Sequence, residues 1–592
     1  MTSSLECKNF LRSLQLLNHF VVLGARYFIL CPGSRSAPLA LAAGELLRLG
    51  RIKLFNSIDE RSAAFHALGL SAASGEISVV ITTSGTAVAN LLPAAIEADR
   101  SCNSILFLTA DRPFRLKDCG ANQTINQEDF LLPVCEKKFN TNLNGLHLND
   151  DLEMMKLIKS ISEILFTSSG PIHLNIPIEQ PLMISKENKK RTFELFQKLY
   201  LPNRKEIIKE HNNKKSKSKN IAREFEKFDL LKRGIIIVGP YEGSSKDLLN
   251  FNNALKEIQD LTGWAIFADP ISGINNEIRG LIKNWELILS NKNYLIECDQ
   301  LLRLGRMSSS KYLEEFLINF EGNQFLIKEN NIRKLDPTKK AIEYEFGLDQ
   351  FVNSFVRKKD NQNLRIRPLS PLANQLITEG ERIHQIFSKQ LDISYKITEI
   401  ALAHYVPKFW PKDYPIMLSA SSPIRDWLTF AENKPLSRRC FSFRGASGID
   451  GTLSLALGIA RVNNPLLLVT GDLTFLHDIN GLLIENSSEL KLTILLIDNN
   501  GGNIFNRLYK NDLSVEEIEK LFVMPRFMNW QKLAETYKLP YRDVLSLNKL
   551  KDALDWSLSM QKSTIIKVSI DVDYEINLKK SILKNIYFDE NI

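Results

Sequence analysis

Residues 470–505 read TGDLTFLHDINGLLIENSSELKLTILLIDNNGGNIF, and two predicted strands, one just before this stretch and one inside it, end in polar side chains. The apolar run Leu466–Val469 leads into Asp472, and the apolar run Thr493–Ile497 leads into Asn499. Short apolar runs of this kind favour buried parallel strands, whose carboxyl ends meet at one edge of a sheet. We therefore expect the two polar side chains to lie close together at that edge.

The groups expected at this edge are hard oxygen ligands. The Asp472 carboxylate, the Asn499 amide oxygen and a backbone carbonyl of the glycine-rich turn suit Mg²⁺, which usually keeps open positions for the phosphates of a bound molecule. Glycines at 471, 501 and 502 let the backbone approach such phosphates closely. A Gly-Asp or Asn-Asn pair alone is common in turns, but both at the ends of consecutive strands are more specific. The stretch predicts a site for a metal ion and the phosphates of a bound molecule.

A second polar turn follows an early predicted strand. The apolar run Tyr27–Leu30 leads into CPGSRSAPL, residues 31–39, where a Pro-Gly turn presents Arg35 before a helix that begins near Leu39. In open α/β sheets ligands bind at the carboxyl edge of the strands. An arginine there can bind a carboxylate or phosphate with two parallel hydrogen bonds. A turn with a solvated arginine explains this stretch alone equally well.

The alternation of strands and helices predicts an α/β fold with three doubly wound parallel-sheet domains. In the first block the expected strands are Arg26–Leu30, Val79–Thr83 and Ile105–Thr109, and the expected helices are Arg61–Ala73 and Ala87–Ala98. Strands of the second block are expected in RGIIIVGPYEG, WAIFADP and YLIECDQLLRLGR, and those of the third in YPIMLSASS, PLLLVTGDL, LTILLIDNN and STIIKVSID. We expect the domains at 1–185, 233–365 and 380–592, with a basic linker at 186–232.

The net charge of +8 is concentrated in one stretch of the chain. Residues 186–233 hold 16 lysines and arginines against 7 acidic residues, so the rest of the chain is close to neutral. The centre of this stretch, HNNKKSKSKN, has the composition of a solvated linker. We therefore interpret it as a connector and predict no nucleic-acid partner.

The composition also bears on location. No run reaches the roughly 18 apolar residues of a membrane span, and the first ten residues lack the features of a signal peptide. The seven cysteines are scattered, odd in number and without a CxxC pair. This pattern favours a reduced compartment, so we expect a cytoplasmic protein with no membrane span.

The motifs resemble those of the thiamine diphosphate-dependent enzymes, whose signature begins Gly-Asp-Gly and closes with Asn-Asn. Leu473 stands here in place of the last glycine. Within these enzymes the chain resembles the 2-succinyl-5-enolpyruvyl-6-hydroxy-3-cyclohexene-1-carboxylate synthase family of menaquinone and phylloquinone biosynthesis. The segments that carry the resemblance are CPGSRSAPL, DERSAAFHALGLSAASG, TTSGTAVANLLPAAIEA, LTADRP, DCGANQTINQ and FRGASGIDGTLSLALG. They cover the first and third blocks, and the resemblance is thin in the second.

The resemblance implies thiamine diphosphate as cofactor, bridged to the protein by Mg²⁺ or Mn²⁺. Asp472, Asn499 and Gly501 match the metal ligands, and Glu60 matches the catalytic acid that hydrogen-bonds the pyrimidine ring and activates the cofactor. Ile449 matches the apolar residue that holds the cofactor bent. The implied cofactor-binding residues are Glu60, Ile449, Gly471, Asp472, Leu473, Asn499, Gly501, Asn503, Ile504 and Phe505. Without the resemblance, Glu60 is better explained as a helix-start acid, and Ile449 as core packing.

The implied reaction is decarboxylation of 2-oxoglutarate and addition of the resulting four-carbon carbanion to isochorismate. Both substrates carry two carboxylates, so the site needs several cations. Residues that match the isochorismate side are Ser34, Arg35, Arg112, Gln123 and Lys311, and residues that match the 2-oxoglutarate side are Ser421, Arg425 and Arg444. Each cation taken singly could instead form a structural ion pair. No histidine matches a catalytic position, and we expect His66 and His477 to pack or to support the site.

The resemblance also implies that Glu60 and Asp472 serve one site from different chains, and hence a homodimer or a dimer of dimers. Two alternatives remain open. Another thiamine diphosphate-dependent carboligase, such as an acetohydroxyacid synthase, would use a small monoanionic donor and would not need the Arg425 and Arg444 pair. A non-catalytic binding protein on this fold is the other alternative, and the presence of Glu60, Asp472 and Asn499 argues against it.

Overall fold

The computed structural model describes most of the chain. The described ranges are 4–135, 137–167, 170–200, 225–243, 247–274, 278–291, 296–329, 333–357, 366–391, 396–431, 439–443, 445–484, 490–509 and 513–588. The predicted linker motif HNNKKSKSKN and the predicted substrate residue Arg444 lie outside them. In the described part of the chain, no helix combines the length and the apolar character needed to cross a lipid bilayer.

The first sheet is parallel throughout and has the strand order β2-β1-β3-β4-β6-β5. Its strands are β1 (Tyr27–Leu30), β2 (Lys53–Asn56), β3 (Ser78–Thr82), β4 (Ile105–Asp111), β5 (Lys138–Asn140) and β6 (Pro171–Pro177). The helices of this part are α1 (Leu5–Val22), α2 (Ala37–Arg48), α3 (Glu60–Ser74), α4 (Thr86–Ala89), α5 (Leu92–Ser101), α6 (Asp151–Thr167) and α7 (Lys186–Tyr200). The central strands β1, β3, β4 and β6 are buried along their whole length, as parallel strands covered on both faces are.

The second sheet is also parallel, in the order β11-β10-β9-β7-β8. Its strands are β7 (Gly234–Val238), β8 (Ala265–Ala268), β9 (Gln300–Leu304), β10 (Asn323–Ile327) and β11 (Ile342–Tyr344). The accompanying α-helices are α8 (Leu248–Thr262), α9 (Trp285–Ser290), α10 (Lys311–Asn319) and α11 (Leu348–Phe351).

The third sheet has the order β13-β12-β14-β15-β17-β16. Its strands are β12 (Ile416–Leu418), β13 (Cys440–Ser442), β14 (Leu466–Gly471), β15 (Leu492–Asp498), β16 (Tyr541–Val544) and β17 (Thr564–Ser569). The helices are α12 (Pro371–Gln390), α13 (Glu399–Phe409), α14 (Ser422–Phe430), α15 (Thr452–Ala460), α16 (Asp472–His477), α17 (Ile504–Tyr509), α18 (Val515–Ile518), α19 (Trp530–Thr536), α20 (Leu547–Ser559) and α21 (Val572–Phe588). β14 and β15 pair in parallel, with Gly471 opposite Ile497, which confirms the adjacency expected from the sequence. The α/β class with three parallel sheets is likewise confirmed.

The chain forms two compact units. The first is drawn from residues 1–216, 443–462 and 477–487, and the second from 217–442, 463–476 and 488–592. The first unit therefore contains the first sheet together with α15, and the second unit contains the second and third sheets. Short segments of the predicted third block thus fold with the first sheet.

Two expectations for the first unit need correction. The predicted helix Ala87–Ala98 is two helices, α4 and α5, because Pro93 at the start of α5 has no backbone N–H to continue a helix through residues 90–91. The predicted linker begins too early, since α7 occupies Lys186–Tyr200. Phe193 and Phe196 of α7 are buried in the core of the first sheet, an apolar pair that the basic composition of the segment conceals.

Helices α3 and α15 cross at two glycines. A Cβ added at Gly69 would lie inside van der Waals contact of the Leu455 carbonyl oxygen, and one added at Gly458 would do the same to the His66 carbonyl oxygen. The two backbones can approach this closely only because neither crossing residue has a side chain. This contact fixes α3, the helix that begins with Glu60, within the first unit.

Candidate functional site

Asp472 lies where β14 ends and α16 begins. Its side chain is nearly inaccessible, because the residue is only 3% exposed. The carboxylate accepts hydrogen bonds from the Leu473 N–H and the Gly501 N–H, both at 2.7 Å. The second of these bonds joins the ends of β14 and β15, so the carboxylate holds together the two turns that the sequence predicts as one site.

Asn499 follows β15 at the same edge. Its Nδ2 donates to Oε1 of Glu399 at 2.8 Å, which fixes the side-chain orientation. Its Oδ1 is buried and accepts no hydrogen bond from any residue in the described ranges. A buried amide oxygen without a partner is costly, typically about 1–3 kcal/mol, so this atom is the natural place for a ligand or cation.

The donor set at this edge fits a divalent cation. Burial raises the pKa of the Asp472 carboxyl to about 6, and a bound cation would favour its charged form. Within the described ranges no cluster of three or more His, Cys, Asp or Glu side chains offers another metal site. A carboxylate, an amide oxygen and a backbone carbonyl are ligands of the kind that Mg²⁺ or Mn²⁺ accepts.

The three glycines at this edge of the sheet differ in what surrounds them. Gly501 has φ = 117°, and a Cβ there would strike the Val523 carbonyl oxygen, while a Cβ at Gly502 would strike the Phe522 carbonyl oxygen. Both positions therefore require glycine, because the carbonyl oxygens of residues 522–523 lie too close for a side chain. Gly471 faces open space instead, which leaves room beside Asp472. The predicted cofactor residues Asn503, Ile504 and Phe505 follow as the turn that opens α17, and Asn503 Nδ2 donates to the Asn499 carbonyl oxygen.

Glu60 is the first residue of α3 in the first unit. Asp59, the residue before it, caps the helix by accepting the Ser62 N–H at 3.1 Å. Because Asp59 satisfies the helix end, Glu60 is not needed as a cap. Its partly exposed carboxylate accepts no hydrogen bond from the residues that the structure describes, so it is available to a ligand.

Asp478, which the sequence analysis did not identify, holds the start of α3. Its fully buried carboxylate accepts hydrogen bonds from the Ser454 N–H at 2.7 Å and from the Ser454 and Ser62 hydroxyls at 3.0 and 3.3 Å, and the Arg61 guanidinium lies 3.6 Å away. Burial raises the pKa of Asp478 to about 7. No spacing in the sequence points to this role, because its partners lie on α3 and α15.

Ile449 lies in the loop that precedes α15 and is partly exposed. The carboxylate of the buried Glu97 on α5 orders this loop by accepting three successive N–H groups, from Gly445, Ala446 and Ser447, at 2.7–2.9 Å. Glu97 was also missed by the sequence analysis. Its position in an apolar helix, LPAAIEADRS, is the one signal for a satisfied buried charge.

The predicted isochorismate residues of the first unit fall into one cluster. Arg35 is 7% exposed, and its Nη1 donates to the Ile178 carbonyl oxygen at 2.7 Å. Burial, followed by the nearby charge of Arg112, lowers the pKa of Arg35. Arg112 donates to the Gln123 carbonyl oxygen at 3.1 Å, to its Oε1 at 3.2 Å and to the Ser84 hydroxyl. Ser34 is exposed beside them.

The predicted residues of the second unit are brought together only in part. Ser421 has φ = 74° at the start of α14, and its carbonyl oxygen accepts the Nη1 of the exposed Arg425 at 2.9 Å. Lys311 is the exposed first residue of α10. No hydrogen bond or ion pair between described residues joins Lys311 to Ser421 or Arg425.

The two histidines singled out in the sequence lie in the first unit. His66 is fully buried, and burial lowers its pKa to about 3, so the ring is neutral. Its centroid lies 5.3 Å from that of Phe55, an arrangement of core packing. His477 Nδ1 lies 3.3 Å from Nη1 of Arg61, which places it among the groups that support the start of α3.

Comparison with known proteins gives consistent matches. Residues 15–130 match the family described as thiamine pyrophosphate enzyme, N-terminal TPP binding domain, and residues 200–418 match the middle domain of thiamine pyrophosphate. The 2-succinyl-5-enolpyruvyl-6-hydroxy-3-cyclohexene-1-carboxylate synthase of Prochlorococcus marinus strain MIT 9515 is 59% identical over 588 residues, which cover 99% of this chain and 100% of that protein. The proteins of the same name from strains MIT 9301 and NATL2A are 60% and 41% identical, each over 99% of this chain and over 100% and 99% of their own lengths.

Proposed function

Because the chain belongs to the 2-succinyl-5-enolpyruvyl-6-hydroxy-3-cyclohexene-1-carboxylate synthase family of thiamine diphosphate-dependent enzymes, we propose that it decarboxylates 2-oxoglutarate and joins the remaining four carbons to isochorismate. The observation that carries the proposal is the edge of the third sheet. There the buried Asp472 carboxylate joins two strand ends, and the buried Oδ1 of Asn499 at the same edge has no hydrogen-bond partner among the described residues.

The metal and the diphosphate are proposed to bind at this edge. Asp472, Asn499 and the Gly501 carbonyl would hold Mg²⁺ or Mn²⁺, and the cation would neutralise the diphosphate. The remaining proposed contacts to the cofactor are Gly471, Leu473, Asn503, Ile504 and Phe505. Thiamine diphosphate supplies a nucleophilic carbon at its thiazolium ring once a proton has left that carbon.

Glu60 and Ile449 are proposed to act on the other part of the cofactor. The carboxyl group of Glu60 would hydrogen-bond the pyrimidine ring and so support removal of the proton from the thiazolium carbon. The Glu60 carboxylate suits this role because Asp59 already caps α3. Ile449 would contact the rings and hold them bent, on a loop that Glu97 orders.

The cations are proposed to divide between the two substrates. Arg35, Arg112 and Gln123, with the exposed Ser34, form a positively charged cluster suited to a dicarboxylate, and we assign them to isochorismate. Arg425 and Ser421 are assigned to 2-oxoglutarate. Lys311 for isochorismate and Arg444 for 2-oxoglutarate rest on the family resemblance alone.

We also propose a homodimer or a dimer of dimers in which Glu60 of one subunit and Asp472 of another serve one site. This follows the family resemblance. The proposed domains keep the predicted blocks 233–365 and 380–592, while the first block, predicted as 1–185, extends to the end of α7 at Tyr200. A cytoplasmic location fits the seven cysteines, none of which forms a disulfide.

The direct test supplies the protein, thiamine diphosphate, Mg²⁺, 2-oxoglutarate and isochorismate, and follows loss of isochorismate and product mass. We expect CO₂ release together with a product heavier than isochorismate by the four-carbon unit. Pyruvate in place of 2-oxoglutarate is the control, because an acetohydroxyacid synthase-like enzyme would prefer it. Preference for pyruvate, or isochorismate left intact, would overturn the proposal.

A further inference from the structure

The loop that follows β4, residues 112–128, carries both Arg112 and Gln123. Arg112 donates to Gln123 at 3.1 and 3.2 Å, so the two proposed isochorismate contacts depend on each other's position. Arg112 also repels Arg35, since its charge adds to burial in lowering the pKa of Arg35. A loop that presents a cation beside a like charge needs some other interaction to keep it in place.

Lys117 lies inside this loop and bonds both of its ends. Its Nζ donates to Oδ2 of Asp111 at 2.7 Å, to the Ile125 carbonyl oxygen at 2.7 Å and to Oε2 of Glu128 at 3.0 Å. The Lys117 side chain is 11% exposed, and that of Asp111 is fully buried. Each of the three protons of the Lys117 ammonium group thus has an acceptor, one on Asp111 just before the loop and two near the end of the loop.

Asp111 connects Lys117 to the backbone of Arg112. Its Oδ1 accepts the Arg112 N–H at 2.7 Å, and its Oδ2 also accepts Nδ2 of Asn175 at 3.0 Å on β6. The carboxylate that binds Lys117 therefore also sets the backbone from which the Arg112 guanidinium extends. Together Lys117, Asp111 and Glu128 carry one net negative charge, which offsets the charge of Arg112.

Gln127 secures the end of the loop next to Glu128. Its Oε1 accepts the Gly85 N–H at 2.9 Å, and its Nε2 donates to Oδ1 of Asn175 at 2.9 Å and to the Ala110 carbonyl oxygen at 3.2 Å. Asn175 thus receives bonds from one end of the loop and donates to Asp111 at the other. The network therefore joins the two ends of the loop that carries Arg112 and Gln123.

We propose that Lys117, acting through Asp111 and Glu128, is a positioning residue for the isochorismate end of the site. This role rests on the proposed function, because it assumes that Arg112 and Gln123 bind isochorismate. The ion pair orders the loop before substrate arrives, so binding does not have to supply that ordering free energy. Lys117 touches no substrate in this account and affects only the step that uses isochorismate.

The test compares Lys117→Met with Lys138→Met. Lys138 forms an ion pair with Asp129 just beyond the loop, but that pair is more than one-third exposed, so its loss should change little. We expect Lys117→Met to raise the apparent isochorismate requirement about 10- to 100-fold, the range of one charge-assisted hydrogen bond. Single-turnover CO₂ release from 2-oxoglutarate should stay near the parent rate. Lys117→Arg, which keeps the charge, should recover most of the loss.

Hydrogen exchange of the backbone amides of residues 112–128 gives a readout that does not depend on turnover. Exchange should be faster in Lys117→Met and unchanged in Lys138→Met. If Lys117→Met folds poorly, the double variant Asp111→Asn/Lys117→Met also removes the fully buried Asp111 charge, which Lys117→Met alone leaves without its cation, and should recover stability while the isochorismate requirement stays high.

Three outcomes separate the inference from the proposed function. If Arg112→Ala leaves the isochorismate requirement unchanged, the assignment of this cluster to isochorismate fails. If Arg112→Ala raises it and Lys117→Met does not, only the positioning role fails. If the double variant restores stability and isochorismate use together, Lys117 is a structural residue and the inference is overturned.

Discussion

Asp472 combines two properties that ordinarily exclude each other, since it is buried and yet carries a group that prefers water when charged. Two backbone N–H groups compensate for part of the lost hydration. The remaining lone pairs of Asp472 and the Oδ1 of Asn499 are the atoms that we propose as ligands of the cation. On this proposal a bound cation would compensate for the rest of the lost hydration.

We predict that Asp472→Ala weakens binding of thiamine diphosphate with Mg²⁺ by at least about 100-fold, because the charged ligand of the bridging ion is removed. Isothermal calorimetry measures the change, and circular dichroism checks that the fold is intact. Asp543→Ala is the control, since Asp543 is an exposed carboxylate on β16 of the same sheet. Equal affinities in both variants would refute the metal assignment.

His66 is also buried, but in contrast to Asp472 its polar atoms are not satisfied. Its two ring nitrogens have no hydrogen-bond partner within the described ranges. We predict that His66→Leu keeps full activity and raises the free energy of unfolding by up to about 1–3 kcal/mol, because it removes unsatisfied polar atoms. Chemical denaturation gives the energy, and the synthase assay gives the activity. A loss of activity with an intact fold would show that the imidazole takes part in proton transfer.

The same variant should change the pH dependence of stability. The pKa of His66 is lowered to about 3 in the folded chain, so the folded state stays neutral while the unfolded state takes up a proton below about pH 6.5. The parent protein therefore loses stability as pH falls from about 6.5 to 3, by up to about 1.4 kcal/mol per pH unit from this group. His66→Leu should lose that contribution to the slope.

At the scale of elements, the contact between α3 and α15 depends on two missing side chains. The small residues of both helices bring the backbones together, and Asp478 adds hydrogen bonds at the start of α3. The orientation of Glu60 follows from these contacts, because Glu60 is the first residue of α3. Helix propensity alone would favour alanine at both glycines.

We predict that Gly458→Ala lowers the free energy of unfolding by about 1–3 kcal/mol, because the added methyl group would overlap the His66 carbonyl oxygen and the helices would have to separate. Gly44→Ala on α2 is the matched control. A Cβ there meets no atom within 4 Å, so that variant should gain about 0.5–1 kcal/mol from helix propensity. Equal changes in the two variants would contradict the close crossing.

At the scale of the whole molecule, the proposed cofactor residues come from both compact units. Glu60 belongs to the first unit and Asp472 to the second. The family resemblance places the two residues of one site on different subunits. This arrangement can be tested without a structure of the assembly.

We predict that Glu60→Gln and Asp472→Ala are each inactive as pure oligomers. A mixed dimer of the two variants, purified with two affinity tags, should recover about half of the parent activity per dimer, because one of its two sites then has both intact residues. Activity of the mixed dimer is measured by loss of isochorismate. If it stays as inactive as its parents, the two residues do not act together across subunits.

The predictions from sequence succeeded where the signal was local. Apolar runs bounded by glycine and polar residues placed β14, β15 and their ends within one or two residues, and the parallel pairing of those strands followed. The helix in Lys186–Tyr200 was missed because its charged residues outweighed Phe193 and Phe196 in the composition. Burial of two aromatic side chains needs the rest of the core to be present.

By itself the sequence determined the α/β class, the polar ends of the strands and the membership of the family, because hydrophobic periodicity and motifs are patterns of residues that are close together in the sequence. Only the tertiary structure decided which buried carboxylates receive hydrogen bonds, and from which residues. Glu97 binds N–H groups about 350 residues away, and Asp478 binds Ser62, 416 residues away. Such partners are set by the packing of whole helices and strands, since a buried carboxylate is stable only where the fold brings donors to it.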